Sequence, residues 1–143
     1  MSSPQPPDQT LGYLRTCIDN RFVAGARSRF EEHGMLGPTD YWHESYPGGS
    51  AKAPDAPVGD EFTTVGENYA VSKGATVFGW QAHIAGCGGL PNETDQQIEA
   101  RLDFVVARKV EKYQDLPGVR IYKILGTPGG TLVKLVYPPD EPA

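Results

Sequence analysis

The only two cysteines of this 143-residue chain lie in short segments that carry other side chains able to bind or support a metal. Cys17 is followed at alternate positions by Asp19 and Arg21, and His83 precedes Cys87 by four residues. Two thiolates and one imidazole form a soft ligand set that favours zinc over magnesium or calcium. Three protein ligands leave the fourth tetrahedral position for water, as in catalytic zinc sites. We therefore expect zinc at Cys17, His83 and Cys87.

Asp19 and Arg21 suit a polar pair beside such a metal. In extended backbone, side chains two residues apart point to the same side, so Cys17, Asp19 and Arg21 would share one face. The Asp19 carboxylate would then accept a hydrogen bond at the metal, and Arg21 would hold that carboxylate ionised and oriented. We therefore expect both residues to be catalytic. His33 and His43 are further candidates, as carriers of protons.

The two cysteine segments lie at the C-terminal ends of stretches that are predicted to be strands. Residues 11–18 and 75–82 are both apolar enough for strands near the centre of a sheet. A helix predicted over residues 24–33, with Gly34 as its terminating residue, follows the first of these strands. In an open α/β sheet, ligands bind beyond the carboxyl ends of the strands, where both cysteine segments fall.

The other stretches alternate between helix and strand patterns. Asn92 or Thr94 can cap the longest helix, and Thr94 with Gln97 has the spacing of a capping box. This helix carries one apolar stripe. The stripe comprises Ile98, Leu102, Val105, Val106, Val110 and Tyr113. The remaining predictions are a strand over 40–46, a long loop over 47–60, a helix over 62–73 ended by Gly74, and strands over 119–125 and 131–137 joined as a hairpin.

This order of elements predicts a single α/β domain. Its central sheet is expected to be mostly parallel, with an antiparallel hairpin at one edge and helices on its flanks. Residues 10–143 are long enough for one hydrophobic core. Residues 1–9 carry three prolines and no periodic pattern, so we expect a flexible tail there.

Composition and charge exclude several classes of protein. Hydrophobic residues make up 38% and charged residues 22% of the chain, which is typical of a globular protein and not of a disordered one. The net charge of −5 argues against a nucleic-acid partner. No apolar run approaches the ~20 residues of a membrane span, and the N-terminus lacks the pattern of a secretion signal. We expect a cytoplasmic protein, in which thiols stay reduced.

The two cysteine segments resemble the signatures of the β-class carbonic anhydrases, as in a short, divergent member. The first signature of that family, Cys-x-Asp-x-Arg, is intact. The second, His-x-x-Cys-Gly-Gly, is present with one additional residue between the histidine and the cysteine, in a loop where Gly86 could form a bulge. Residues 68–74 and 119–126 are similar to the helix before the second signature and to a closing strand. The matching positions are Cys17, Asp19, Arg21, His83, Cys87, Gly88 and Gly89.

The resemblance implies a zinc lyase that reversibly hydrates carbon dioxide to bicarbonate by means of a zinc-bound hydroxide. It also implies a second state of the site, in which Asp19 leaves Arg21 and fills the fourth zinc position. A homodimer or a larger homo-oligomer is expected, since the family builds its pockets at a subunit boundary and an isolated sheet of this size would expose apolar surface.

Two other functions remain open from the sequence. The same fold and metal could hydrolyse a related small linear substrate, carbon disulfide or carbonyl sulfide, through a narrower entrance. Alternatively, the protein could be a non-catalytic zinc-binding module with a structural or interaction role.

Overall fold

The computed structural model describes residues 10–55 and 57–139, and the predicted tail over residues 1–9 lies outside that part of the chain. In the described part, five strands and three α-helices follow one another along the chain. The strands are β1 (Gly12–Thr16), β2 (Tyr41–Ser45), β3 (Val77–His83), β4 (Arg120–Thr127) and β5 (Gly130–Tyr137). The helices are α1 (Asn20–Gly34), α2 (Pro57–Ser72) and α3 (Asp95–Tyr113).

The strands form one sheet in the order β2-β1-β3-β4-β5. The first four strands are parallel, and β5 pairs with β4 in the antiparallel direction. The predicted single α/β domain, with its mostly parallel sheet and edge hairpin, is therefore confirmed. Because β1 and β3 are neighbours in the middle of this sheet, their carboxyl ends lie side by side.

A hydrophobic core covers each face of the sheet. Helix α1 packs on one face, where Ala26 and Phe30 join Leu14 and Ile124 in a buried cluster. Helices α2 and α3 pack on the other face. Five members of the predicted α3 stripe, Ile98, Leu102, Val105, Val106 and Tyr113, are buried there. Burying an apolar side chain of this size stabilises the fold by roughly 1.5–3 kcal/mol.

The helix ends confirm one prediction and correct another. Thr94 and Gln97 form the predicted capping box at the start of α3. Gly34, which was expected just beyond the end of α1, is instead its last helical residue. Met35 takes the left-handed conformation with φ 55°, and its N–H donates to the carbonyl of Glu31. A Cβ on Gly34 would lie 3.2 Å from Cγ1 of Val77, so a larger residue there would require that side chain to shift slightly.

The prediction of a long loop over residues 47–60 is wrong. A 3-10 helix occupies Gly49–Asp55, and α2 begins at Pro57, five residues before its predicted start. Proline suits the first position of a helix, because its fixed φ is helical and its missing N–H would have had no partner there. Within a stretch rich in glycine, proline and alanine, this proline resembles a loop residue instead of the start of a helix. Among the described residues, no helix combines the length and apolar character that crossing a membrane requires.

Candidate metal centre

Cys17, His83 and Cys87 converge at the carboxyl edge of the sheet. Their potential ligand atoms all lie within 4.8 Å of one another, and all three residues are buried. In a tetrahedral zinc site with Zn–S bonds of ~2.3 Å, neighbouring ligand atoms lie about 3.5–4 Å apart. The three side chains thus match zinc in donor chemistry and require only a small adjustment in spacing.

Cys17 directly follows β1, and a buried amide holds its backbone. The N–H of Cys17 donates to Oε1 of Gln81 over 2.8 Å. Gln81 is fully buried on the adjacent strand β3, two residues before His83. Gln81 is not among the residues predicted for the site, although a glutamine inside an otherwise apolar strand was a usable signal.

His83 ends β3, and its ring is fixed on two sides. Nδ1 lies 3.0 Å from the carbonyl oxygen of Ile84. Since a carbonyl oxygen can only accept, Nδ1 carries the hydrogen and Nε2 is left to coordinate a metal. Phe22 of α1 stacks on the imidazole at 4.3 Å between ring centroids. Nε2 is buried and has no hydrogen-bond partner in the described part of the chain, which further supports a role for this nitrogen as a metal ligand.

The additional residue between His83 and Cys87 is absorbed by a left-handed turn. Ala85 and Gly86 have φ values of 64° and 86°, so two consecutive residues lie in the left-handed region. Glycine takes this conformation readily, whereas alanine does so only at a cost. The turn brings the sulfur of Cys87 back to the imidazole of His83 in spite of the altered spacing.

Residues 47–49 pack against both cysteine segments through glycines. A Cβ on Gly89 would lie 2.3 Å from the nitrogen of Gly48, so the two backbones touch. A Cβ on Gly49 would lie 2.8 Å from the nitrogen of Cys17. Gly89 of the second signature is therefore needed for close backbone approach, whereas a Cβ on Gly88 would meet nothing within 4 Å.

Asp19 and Arg21 form a pair at the outer side of the cluster. Nε of Arg21 donates to both carboxylate oxygens, at 3.1 and 3.2 Å, and Nη2 donates to Oδ2 at 2.7 Å. Oδ2 of Asp19 lies 3.5 Å from Nε2 of His83. The hydrogen bonds from Arg21 lower the pKa of Asp19 to about 2, so this carboxylate is ionised at neutral pH. Asp19 also caps α1, because its side chain accepts from the N–H of Arg21.

The two sulfur atoms and the imidazole perturb one another's protonation. Hydrogen bonding from Cys87, assisted by the nearby His83, lowers the pKa of Cys17 despite its burial. The same contact raises the pKa of Cys87, because the thiolate of Cys17 disfavours a second negative charge. Burial alone would lower the pKa of His83, but the Cys17 sulfur and the Ile84 carbonyl raise it. Cys17 is thus the more readily ionised of the two thiols.

The other two histidines have different surroundings. Nε2 of His43 lies 2.8 Å from the hydroxyl of Thr16, and burial lowers the pKa of this histidine. His33 packs against Tyr122 near the end of α1, at the opposite end of the sheet from His83. The position of His33 therefore does not suit the role of proton carrier that the sequence suggested for it.

A surface cavity of about 410 Å³ borders Arg21, Phe22 and the β4–β5 turn.

No family model and no curated protein matches this chain. Among solved structures, the chain is similar to a tetrameric β-carbonic anhydrase of the filamentous ascomycete Sordaria macrospora, with 14% identity and a TM-score of 0.53 over 90% of this chain and 82% of that chain. It is also similar to the β-carbonic anhydrase CafA of the fungal pathogen Aspergillus fumigatus, with 10% identity and a TM-score of 0.50 over 93% of this chain and 78% of that chain. At such identities the likeness concerns the fold: this chain has a β-carbonic-anhydrase-like fold.

Proposed function

We propose that the protein binds one zinc ion through Cys17, His83 and Cys87 and reversibly hydrates carbon dioxide to bicarbonate. The observation that carries the proposal is the convergence of two thiols and one unpartnered imidazole nitrogen at the carboxyl edge of the sheet. The similarity to β-carbonic anhydrase structures supports it at the level of the fold. Zinc bound there would act as a Lewis acid on a water molecule.

The polar residues around the cluster have distinct roles in this proposal. The carbonyl of Ile84 holds the His83 ring in the tautomer that presents Nε2. Asp19, ionised because Arg21 donates to both of its oxygens, can only accept hydrogen bonds at neutral pH. It therefore orients a reacting water whose hydrogen points to the carboxylate. Arg21 is exposed over 58% of its side chain, so it meets solvent while holding Asp19 in place.

Zinc content and carbon dioxide hydration, measured together, test the proposal. Purified protein should hold one zinc per chain and should accelerate hydration in a stopped-flow assay with a pH indicator. We expect Asp19→Asn to keep the zinc and to lose about 10²–10⁴-fold in rate, as is typical when a positioned proton acceptor is removed. Asp115→Asn, at an exposed position near the end of α3, is the matched control and should keep both properties.

The same preparation separates the proposal from its alternatives. Zinc-loaded protein that hydrolyses carbon disulfide or carbonyl sulfide without hydrating carbon dioxide would transfer the proposal to that hydrolase reaction. If Asp19→Asn left hydration unchanged while zinc stayed bound, the catalytic role of Asp19 would be refuted. Stoichiometric zinc without any of these activities would leave a zinc-binding structural module.

We also propose that the chain forms a homo-oligomer in the cytoplasm. The Sordaria protein of similar fold is tetrameric, and Trp42, Phe104 and Leu132 are large apolar side chains exposed on this chain. Both cysteines are free thiols, which suits a reducing compartment. Sedimentation velocity tests the first statement, since a single monomeric species at micromolar concentration would contradict it. Cell fractionation tests the second.

A further inference from the structure

The left-handed turn at Ala85 and Gly86 does more than accommodate an additional residue. The carbonyl oxygen of Gly86 accepts a hydrogen bond from Nη2 of Arg21 over 3.0 Å. The same Nη2 donates to Asp19, so one guanidinium nitrogen joins the two signature segments. Glycine has no side chain, so the acceptor in this contact is the backbone carbonyl of Gly86. The conformation of the turn therefore decides whether the contact forms.

Arg21 needs this second acceptor. Its side chain is 58% exposed, and exposed ion pairs hold their geometry weakly because water and salt compete for both partners. The Gly86 carbonyl and the ring of Phe22, which lies 5.0 Å from the guanidinium carbon, confine the guanidinium from two further directions. Together these contacts restrict the Arg21 side chain more than its pair with Asp19 does alone.

The confinement of Arg21 matters because its partner, Asp19, lies next to the candidate metal ligands. Its Oδ2 atom is only 3.5 Å from Nε2 of His83, so a released carboxylate could rotate into the space between the three potential ligand atoms. We propose that the Gly86 carbonyl is a latch that keeps Arg21 paired with Asp19 and so keeps the metal's fourth position open to an external ligand. The inference deepens the proposed function and rests on it for the metal.

Asp95 anchors the latch. Its Oδ1 atom accepts from the N–H of Ala85 over 3.0 Å, and Asp95 is the first residue of α3. The start of a long, capped helix thereby holds the turn that carries the Gly86 carbonyl. Asp95 is thus a positioning residue, which acts on Asp19 only through the turn and Arg21.

The first test needs no metal. Hydrogen exchange of the Arg21 Nε–H, followed by NMR in the full chain, reports how firmly this group is held by Asp19. Gly86→Ala adds a Cβ that would meet nothing within 4 Å, so its effect comes from the φ of 86°. We expect exchange about tenfold faster in Gly86→Ala, as for a local opening that becomes more populated. Gly118→Ala, with φ 72° and equally open space, controls for strain elsewhere and should leave exchange unchanged.

The anchor is tested in the same way. Asp95→Ala removes the acceptor for Ala85 and should also speed exchange at Arg21, whereas Asp95→Asn keeps an acceptor oxygen and should restore the wild-type rate. Wild-type exchange in both Gly86→Ala and Asp95→Ala would overturn the latch. Because no zinc is involved, this outcome is independent of whether the proposed function holds.

The second test asks what the latch does for the metal. Azide binding to cobalt-substituted protein, followed by visible absorption, reports whether the fourth position is open. If Asp19 occupies that position in most molecules of Gly86→Ala, the azide Kd should rise about tenfold, because affinity falls with the competent fraction. Adding Asp19→Ala should recover the affinity, since the competing carboxylate is gone. An unchanged Kd, or a loss that Asp19→Ala does not recover, would refute the latch while leaving the metal site intact.

Discussion

Gln81 holds the backbone of Cys17, a proposed zinc ligand, although Gln81 is not itself one of the proposed ligands. Its side-chain oxygen accepts from the backbone N–H of Cys17, and both residues are buried. Hydrogen bonds of this kind orient a ligand, and a buried N–H without a partner costs more free energy than the bond itself contributes. The site therefore depends on an uncharged residue of the neighbouring strand.

Replacing Gln81 by methionine should destabilise the protein and weaken the metal site. The substitution keeps most of the side-chain volume but leaves the Cys17 N–H buried without an acceptor, at a cost of about 1–3 kcal/mol. Urea unfolding measures the loss, and competition with a chromophoric chelator measures zinc affinity. Gln96→Met, at an exposed position of α3, is the matched control. Equal stability of the two variants would show that the Gln81 bond contributes nothing measurable.

At the scale of elements, α3 connects the core to the site. Its apolar stripe packs against the sheet, and its first turn carries both the capping box and Asp95, the acceptor for Ala85. The hydroxyl of Thr94 accepts from the N–H of Gln97 over 3.1 Å, and the Gln97 side chain accepts from the N–H of Thr94 over 2.8 Å. The start of α3 is thus fixed by two reciprocal bonds.

We expect Thr94→Ala to lower the free energy of unfolding by about 1 kcal/mol, since it removes an N-cap acceptor. Gln97→Ala should have a smaller effect in the same direction, because only the reciprocal bond is lost. Gln96→Ala lies between them, outside the capping box, and serves as the control. Urea unfolding followed by circular dichroism gives the three values. A Thr94→Ala variant as stable as Gln96→Ala would contradict the capping role.

The elements also show what the sequence could predict. The strand over residues 11–18 and the strand over 75–82 were recognisable because a central strand is apolar, and their order placed both cysteine segments at one edge. The turn at Ala85 and Gly86 was predictable only as a possible bulge. Its bond to Arg21 depends on the backbone direction, which residue types do not specify. The start of α2 was missed because proline is found both in loops and at the first turn of helices.

At the scale of the whole molecule, the candidate centre joins parts of the chain that are distant in sequence. Cys17 follows β1, whereas His83 is the last residue of β3 and Cys87 lies in the loop after that strand. An unfolded chain would not hold these three side chains together, so a metal bound by all of them binds the folded state preferentially. Metal binding should therefore appear as added stability of the entire domain.

Zinc should raise the melting temperature of the protein, and a chelator should reverse the change. At free zinc of about 100 times the Kd, the stabilisation is about 2.7 kcal/mol. For a domain of this size that corresponds to a shift of roughly 5–10 °C. We expect His83→Gln to abolish the shift, because Nε2 would no longer be available. His33→Gln, which changes a histidine at the other end of the sheet, should keep it. A shift of equal size in His83→Gln would mean that zinc binds elsewhere on the chain, and the proposed ligand set would then be wrong.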